Sequence, residues 1–478
     1  MSLIPPIGHI QGSYRSFDGG KVQAVLDRHC EDYPKAIPVG CNLVVMPGNM
    51  PDKDSSTLLH GGNILPDGPQ NWGSTSKQFT AACIDKLVKR GNIKYDQDIR
   101  EICPDLPVFK LDGVVQKVTV DDLLHMRSGL PEVWATALMT GVDAEGLNNN
   151  QLFELLNKHP GMVFPPGSKF MYCNTNYYIL AKIVEKISGI AFPDYVRDEV
   201  LIPLKMDTRC SVDPSCPKTI PGFDGDATKK TYMQEVTSPN RSYGTTGLIG
   251  PPSDMISWNA AIARRDFDLL EPPKGAVGTP KEVYCRGLVI DQIGDYFRIS
   301  HSGALAGAVT IYRRYEHPNP KQTFAFFLTT NADNIPKIEK TADDVANALA
   351  GKEIERTHPS KGHQMAKNQK RDAQIFSGTY RCEELGTEWV VSPKEKEPGK
   401  WSVHMIPADR RAFPRLDFDP ERSREGKIVF QSGYGGGTLE RTSDGFIYHA
   451  GNIAPLHFTR GPFIKTPAPR KDSSSNPR

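Results

Sequence analysis

Apolar positions follow two different rhythms along this chain, and the change from one to the other divides it. Helical spacing appears first, briefly, over residues 21–33. It returns at Phe79, Ala82, Ile84, Leu87 and Val88, where Lys86, Lys89 and Arg90 are basic near the end and Gly91 suits the position after a helix. Residues 118–126 begin a third helix, with Thr119 as the N-cap and Asp121 and Asp122 in the first turn. A fourth covers 176–188, apolar at Tyr178, Leu180, Ile183, Val184 and Ile187 and closed by Gly189, and a fifth covers 338–349. Strand-like runs occupy 40–46, 57–64, 286–292, 296–299, 308–315 and 323–330. Residues 131–165 read as helix and loop, and 208–247 as irregular chain rich in Pro, Asp and Thr.

After residue 350 the rhythm changes. Residues 352–371 hold Lys361, His363, Lys367, Lys370 and Arg371 but few apolar side chains, which predicts a solvated linker. Beyond Phe376, short alternating runs separated by Gly, Pro and charged turns predict a small antiparallel barrel or sandwich. The expected organisation is a first domain over 1–357 (core 25–350), a linker at 358–372, a β-barrel at 373–462 and a disordered tail at 463–478. The length of 478 residues agrees with more than one core.

Charge and composition then remove function classes. The chain has 58 basic and 56 acidic residues, a net charge of +2, which gives no electrostatic case for nucleic-acid or membrane-surface binding. No apolar run approaches the ~18 residues of a membrane span. The first residues lack a basic segment followed by a long apolar one, so no secretory signal is expected. Nine cysteines without C-x-x-C pairs read as free thiols of a cytoplasmic protein. The twelve histidines show no zinc-ligand spacing, and no metal or cofactor is expected. No sequence feature sets an oligomeric state.

Candidate chemistry begins at Ser74-Thr75-Ser76-Lys77, where an extended segment runs into the second helix. A serine hydroxyl needs a base within hydrogen-bond reach to become a nucleophile. A lysine three residues on shares its helix face, so Lys77 is placed to meet Ser74. Ser215-Cys216-Pro217-Lys218 has the same spelling, but Pro217 disfavours a helix interior. Tyr172 and Asn174 lie two apart, on one side of an extended segment. A tyrosine near a cation can titrate below its usual range and act as a base. Core packing for Tyr172 and an N-cap for Asn174 are the alternatives. His301-Ser302-Gly303 follows a strand-like run and is followed by small residues, which let a substrate backbone lie along a strand edge. The amides of Ser74 and Ala304 are then candidates for an oxyanion hole. His60, His159 and His449 also begin an H-x-G, without that context. Trp134 and the glycine-rich turn 433–437 are candidates to border a pocket, or else plain core and a plain hairpin turn.

In the order S-x-x-K, Y-x-N, H-x-G the chain resembles the serine β-lactamase-like, penicillin-recognising hydrolases, on the side of class C β-lactamases, D-aminopeptidases and related esterases. Residues 119–131 and 202–206 also match, and the last structured region is similar to the β-barrel appended to some D-aminopeptidase-like members. The resemblance implies an α/β fold: an antiparallel sheet flanked by helices, with a helical subdomain, followed by the all-β barrel. It makes Ser74 the nucleophile, Lys77 its proton acceptor and Tyr172 the general base. Asn174, His301, Gly303 and Ala304 would bind substrate, a small molecule or short peptide. Class C enzymes carry a lysine of K-T-G where this chain has His301. Histidine is largely neutral at pH 7, so binding of a substrate carboxylate is not expected to be strong. Acyl-Ser74 chemistry serves a hydrolase or an acyltransferase; a pocket that binds without turnover is the third reading.

Overall fold

The structure is a computed structural model that describes residues 17–33, 35–48, 52–139, 146–224, 234–236, 241–274, 282–332, 335–354, 378–382, 387–397, 400–407, 416–424, 427–431, 437–441, 445–450 and 456–460. The expected linker at 358–372, the tail at 463–478 and all of the glycine-rich turn except Gly437 lie outside these. The chain divides into two compact units, Met1–Trp134 with Asp143–Lys361, and Ala135–Val142 with Gly362–Arg478.

A seven-stranded antiparallel sheet organises the first unit. Its spatial order is Glu282–Tyr284, Val289–Ile293, Tyr296–Leu305, Ala308–Glu316, Phe324–Thr330, Gly40–Pro47 and Thr57–Gly62. The run 43–47 is apolar at consecutive positions because both faces of its strand are buried. Cys41, Leu43 and Val45 point to one core with Phe326 and Leu328, and with Val22, Leu26, Ile338 and Val345 from the Gly19–Cys30 and Ile335–Ala350 helices. Val44 and Met46 point to the other, with Trp72, Phe79, Trp258 and Phe327.

The helix signals of the sequence appear with small shifts of boundary. The second helix runs Lys77–Lys89 and Gly91 takes φ +76° beyond it. Thr119 caps Val120–Leu124 in a reciprocal box with Asp122, and Gly189 closes Asn174–Ser188 in the left-handed conformation. Phe79 is fully buried and stacks on Trp258 with ring centroids 4.0 Å apart. Phe79→Ala is therefore expected to cost about 3–5 kcal/mol, read as a lower urea midpoint at unchanged slope; a loss below about 1 kcal/mol would contradict this packing.

Two sequence expectations change. The strand expected over 296–299 continues through His301 to Leu305 and turns at Gly307, φ +70°. Ser302, Gly303 and Ala304 are poor strand formers, but pairing with Ala308–Ile311 carries them. The irregular region 208–247 contains short strands, and Arg209–Cys210 pairs with Leu248–Gly250, which pairs in turn with Gln70–Asn71. That small sheet fixes the approach to Ser74: Trp72 N donates to Leu248 O at 2.9 Å, and Leu248 N donates to Ser76 Oγ at 3.2 Å.

In the second unit, eight antiparallel strands between Gly378 and Arg460 pair each with the next. Tyr380 of the first pairs with Arg460 of the last, which closes the sheet into a barrel. Among the described residues no helix is long and apolar enough to cross a membrane. All nine cysteines are free.

Candidate active site

Ser74 lies in a 3₁₀ turn, Gly73–Ser76, which leads into the Lys77–Lys89 helix, rather than at the helix terminus itself. Residues i and i+3 eclipse in such a turn, so the expected meeting with Lys77 holds: Lys77 Nζ is 2.9 Å from Ser74 Oγ. The turn rests against a strand through two glycines. A Cβ on Gly73, φ +52°, would stand 2.7 Å from Ala304 N, and one on Gly303 would stand 2.0 Å from Trp72 O and 2.8 Å from Ser74 N. Backbone N–H groups of Ser74 and Ala304 are thereby brought to one place. The Val289–Ile293 strand pairs with its neighbour only as far as Ser300, so among the described residues His301–Leu305 has no strand partner on that side.

Lys77 has no solvent exposure. Its Nζ also reaches Asn174 Oδ1 at 2.8 Å and the Thr245 carbonyl at 3.1 Å. Burial lowers its pKa from 10.5 to about 7, against the opposing pull of Glu132 and Cys173. Near neutrality it is therefore available as an amine, whose lone pair can receive the Ser74 proton. Asn174 is the first residue of its helix, and Cys173 before it is extended (φ −147°, ψ 115°). Tyr172 and Asn174 accordingly share a side. Asn174 Oδ1 also accepts from Thr245 Oγ1 at 2.7 Å.

Tyr172 differs from the sequence expectation. Lys77 Nζ lies 5.0 Å from its ring centroid, but burial pushes the phenol above its usual range, a side-chain hydrogen bond with Ser74 notwithstanding. The residue is 37% exposed and borders the cleft. The resting phenol is protonated, and Lys77 is the nearer to losing its proton.

His301 is 6% exposed and holds no charge: burial, reinforced by Lys77, lowers its pKa to about 3. Its Nδ1 is 2.6 Å from Ser302 O, a group that only accepts, so Nδ1 carries the hydrogen and Nε2 accepts from the Tyr284 hydroxyl at 3.1 Å. Both ring nitrogens are thus committed within the protein. A cavity of about 690 Å³ opens beside these groups, lined among others by Ser74, Phe170, Tyr172, Tyr284, His301 and Ala304.

Other candidates fall elsewhere. Ser215 donates to Asp213 Oδ1 at 2.7 Å. Trp134 donates through Nε1 to the Tyr178 hydroxyl at 2.6 Å and packs with Val133 and Leu152, and it is not among the residues that line the cavity. Glu132, Thr245 and Tyr284 were not singled out by the sequence. Glu132 directly follows Gly129-Leu130-Pro131 at the end of a segment that carries the resemblance, which is the one signal that pointed near it.

A model of the Beta-lactamase family matches residues 59–351, more than half of the chain. The chain belongs to the Beta-lactamase family. D-aminopeptidase of Brucella canis is 30% identical over 245 residues, 49% of this chain and 45% of the relative, so the chain spans about half the length of the curated relatives it matches. Among solved structures, the octameric penicillin-binding protein homologue of Pyrococcus abyssi superimposes with a TM-score of 0.58 at 19% identity, over 92% of this chain and 100% of the other. D-amino acid amidase of Ochrobactrum anthropi SV3 gives 0.55 at 20% identity, over 70% and 98%. At these identities the structures report a shared fold. The family fold accounts for the antiparallel sheet with flanking helices.

Proposed function

We propose that this chain is a serine hydrolase that cleaves an amide or ester of a small molecule or short peptide through an acyl-Ser74 intermediate. The observation that carries this reading is the 2.9 Å contact between Ser74 Oγ and a buried lysine whose pKa lies near 7. Neutral Lys77 takes the hydroxyl proton as Ser74 Oγ bonds to the substrate carbonyl carbon. The developing oxyanion is held by the N–H groups of Ser74 and Ala304. Tyr172, protonated at rest, gives its proton to the leaving nitrogen or oxygen and regains one from Lys77. Water then attacks the acyl carbon and gives its proton to Tyr172 as Tyr172 passes its own to Lys77; Lys77 returns that proton to Ser74 Oγ as the acyl–oxygen bond breaks and the acid product leaves. Asn174 orients Lys77 and the substrate.

The D-aminopeptidase and D-amino acid amidase relatives favour amides of D-amino acids as the first substrates to try. The neutral, doubly bonded His301 offers no cation to a substrate carboxylate, which disfavours penicillins. Nine free thiols favour a reducing compartment such as the cytoplasm.

A serine-reactive fluorophosphonate should label the wild type at Ser74, located by peptide mapping, and a panel of D-amino-acid amides, short-chain esters and β-lactams should show turnover of the first two in preference to the third. Labelling elsewhere, or ligand binding without labelling, would sink the proposal. Product analysis with added alcohols or amines separates hydrolysis from acyl transfer.

A further inference from the structure

Behind Asn174 stands a carboxylate with no role in the steps above. Glu132 is 3% exposed, and desolvation raises its pKa. It nevertheless receives hydrogen bonds from several donors. Glu132 Oε2 accepts from the backbone N–H of Asn174, at the start of the 15-residue Asn174–Ser188 helix, and Oε1 accepts from Trp134 N at 2.9 Å. The Asn174 side chain reaches it as well. Since Asn174 Oδ1 is already taken by Lys77 and Thr245, the atom that faces Glu132 is Nδ2. Each of these bonds is donated to the carboxylate, which is what the ionised acceptor requires and a carboxylic acid would forfeit in part. A helix N-terminus adds to the same preference for negative charge.

We propose that Glu132 is a positioning residue for the nucleophile: it fixes the Asn174 amide with its oxygen toward Lys77 and places a buried negative charge behind the lysine that meets Ser74. This rests on the acyl-serine reading. The chain of contacts is continuous, from the Glu132 carboxylate through the Asn174 amide to Lys77 Nζ and Ser74 Oγ. Rotation of the amide by a half-turn would set Nδ2 against the Lys77 amine and the Thr245 hydroxyl, and Oδ1 against the carboxylate. The groups that face Lys77 are Ser74 on its own turn, Tyr172, Cys173, Asn174 and Tyr177 at the start of the Asn174–Ser188 helix, Thr245 from its loop, and Glu132; His301 feels its charge from the strand. Among these Glu132 is the one carboxylate.

Two substitutions separate charge from position. Glu132→Gln removes the charge and turns one acceptor into a donor facing an N–H. Glu132→Asp keeps the charge and withdraws the acceptors from Asn174. The Lys77 titration is followed by NMR in the full chain with ¹³C-labelled lysine, its signal identified by loss in Lys77→Met. Loss of the opposing charge should lower the Lys77 midpoint by about one unit in Glu132→Gln. In Glu132→Asp the midpoint should stay within a few tenths of a unit, while fluorophosphonate labelling of Ser74 slows by on the order of 10²-fold at its optimum pH. An unmoved midpoint in folded Glu132→Gln, or labelling of Glu132→Asp at the wild-type rate, overturns the inference. If wild-type Ser74 resists labelling but the Lys77 midpoint still moves, the inference stands as a coupling between the two groups and the acyl-serine reading falls.

Discussion

Lys77→Met is expected to lower turnover by about 10²–10⁴-fold, the range for loss of a positioned general base. Adding Ser74→Ala to it should cost much less than Ser74→Ala costs alone, because the two side chains act as one unit. Wild-type kcat/KM should rise with pH through about 7, where Lys77 loses its proton, and the Lys77→Met variant should lack that limb. Stability moves in a related way. The folded-state pKa of Lys77 lies near 7, below the ordinary 10.5. Between those values the unfolded chain holds a proton that the folded chain has released, so this group makes stability rise with pH across that window. The cost to the folded state is fully present below pH 7 and fades as pH approaches 10.5. The melting temperature of Lys77→Met minus that of wild type should therefore grow more positive as pH falls from 10 to 7. A difference independent of pH would mean that Lys77 keeps its ordinary pKa in the folded protein.

Gly303→Ala should lower kcat by about 10²–10³-fold, the usual effect of losing one oxyanion donor. Its Cβ would lie 2.0 Å from Trp72 O, 2.8 Å from Ser74 N and 2.9 Å from Thr310 Oγ1. Two of these are backbone atoms of the turn that carries the nucleophile. They are held by Thr310 Oγ1, which donates to Trp72 O at 2.9 Å, and by the small sheet through Leu248. The strand must therefore move away from the turn, taking Ala304 N with it. Steady-state kinetics beside thermal melts would distinguish this from unfolding: kcat should collapse in a protein that still melts cooperatively. Near-normal kcat would show that the Gly303–Ala304 backbone does not serve the reaction.

The sequence revealed those parts of the fold and site that depend on neighbours along the chain. Thr119 with Asp122, and Gly189 after Ser188, mark helix ends through local bonds, and both appear where expected. Lys77 meets Ser74 because three residues suffice to bring them together. Asn174 meets Lys77 from 97 residues away, a contact that motif order signals and local physics does not. Glu132 and Thr245 bond Asn174 from 42 and 71 residues away without any motif of their own, so the sequence does not mark them. The direction in which the Tyr172 phenol shifts depends on packing that no local pattern carries. Proximity of a lysine can be guessed from a pattern, but the burial that outweighs it arises only once the helices have packed.

The order of strands also bears on how the chain acquires this site. Gly40–Pro47, near the start, lies between Thr57–Gly62 and Phe324–Thr330, so nearly the whole first unit must be synthesised before that strand gains its second partner. Such non-local pairing is slow, because a long loop must close before the contact repays it. Until then a strand apolar on both faces has an unpaired edge, a hazard for association between nascent chains. Ser74 and Lys77 arise early and side by side, whereas the Tyr296–Leu305 strand that supports their turn comes more than 200 residues later. A chain terminated ahead of that strand would carry the reactive pair without its wall, so catalytic competence arrives with the last strands of the sheet.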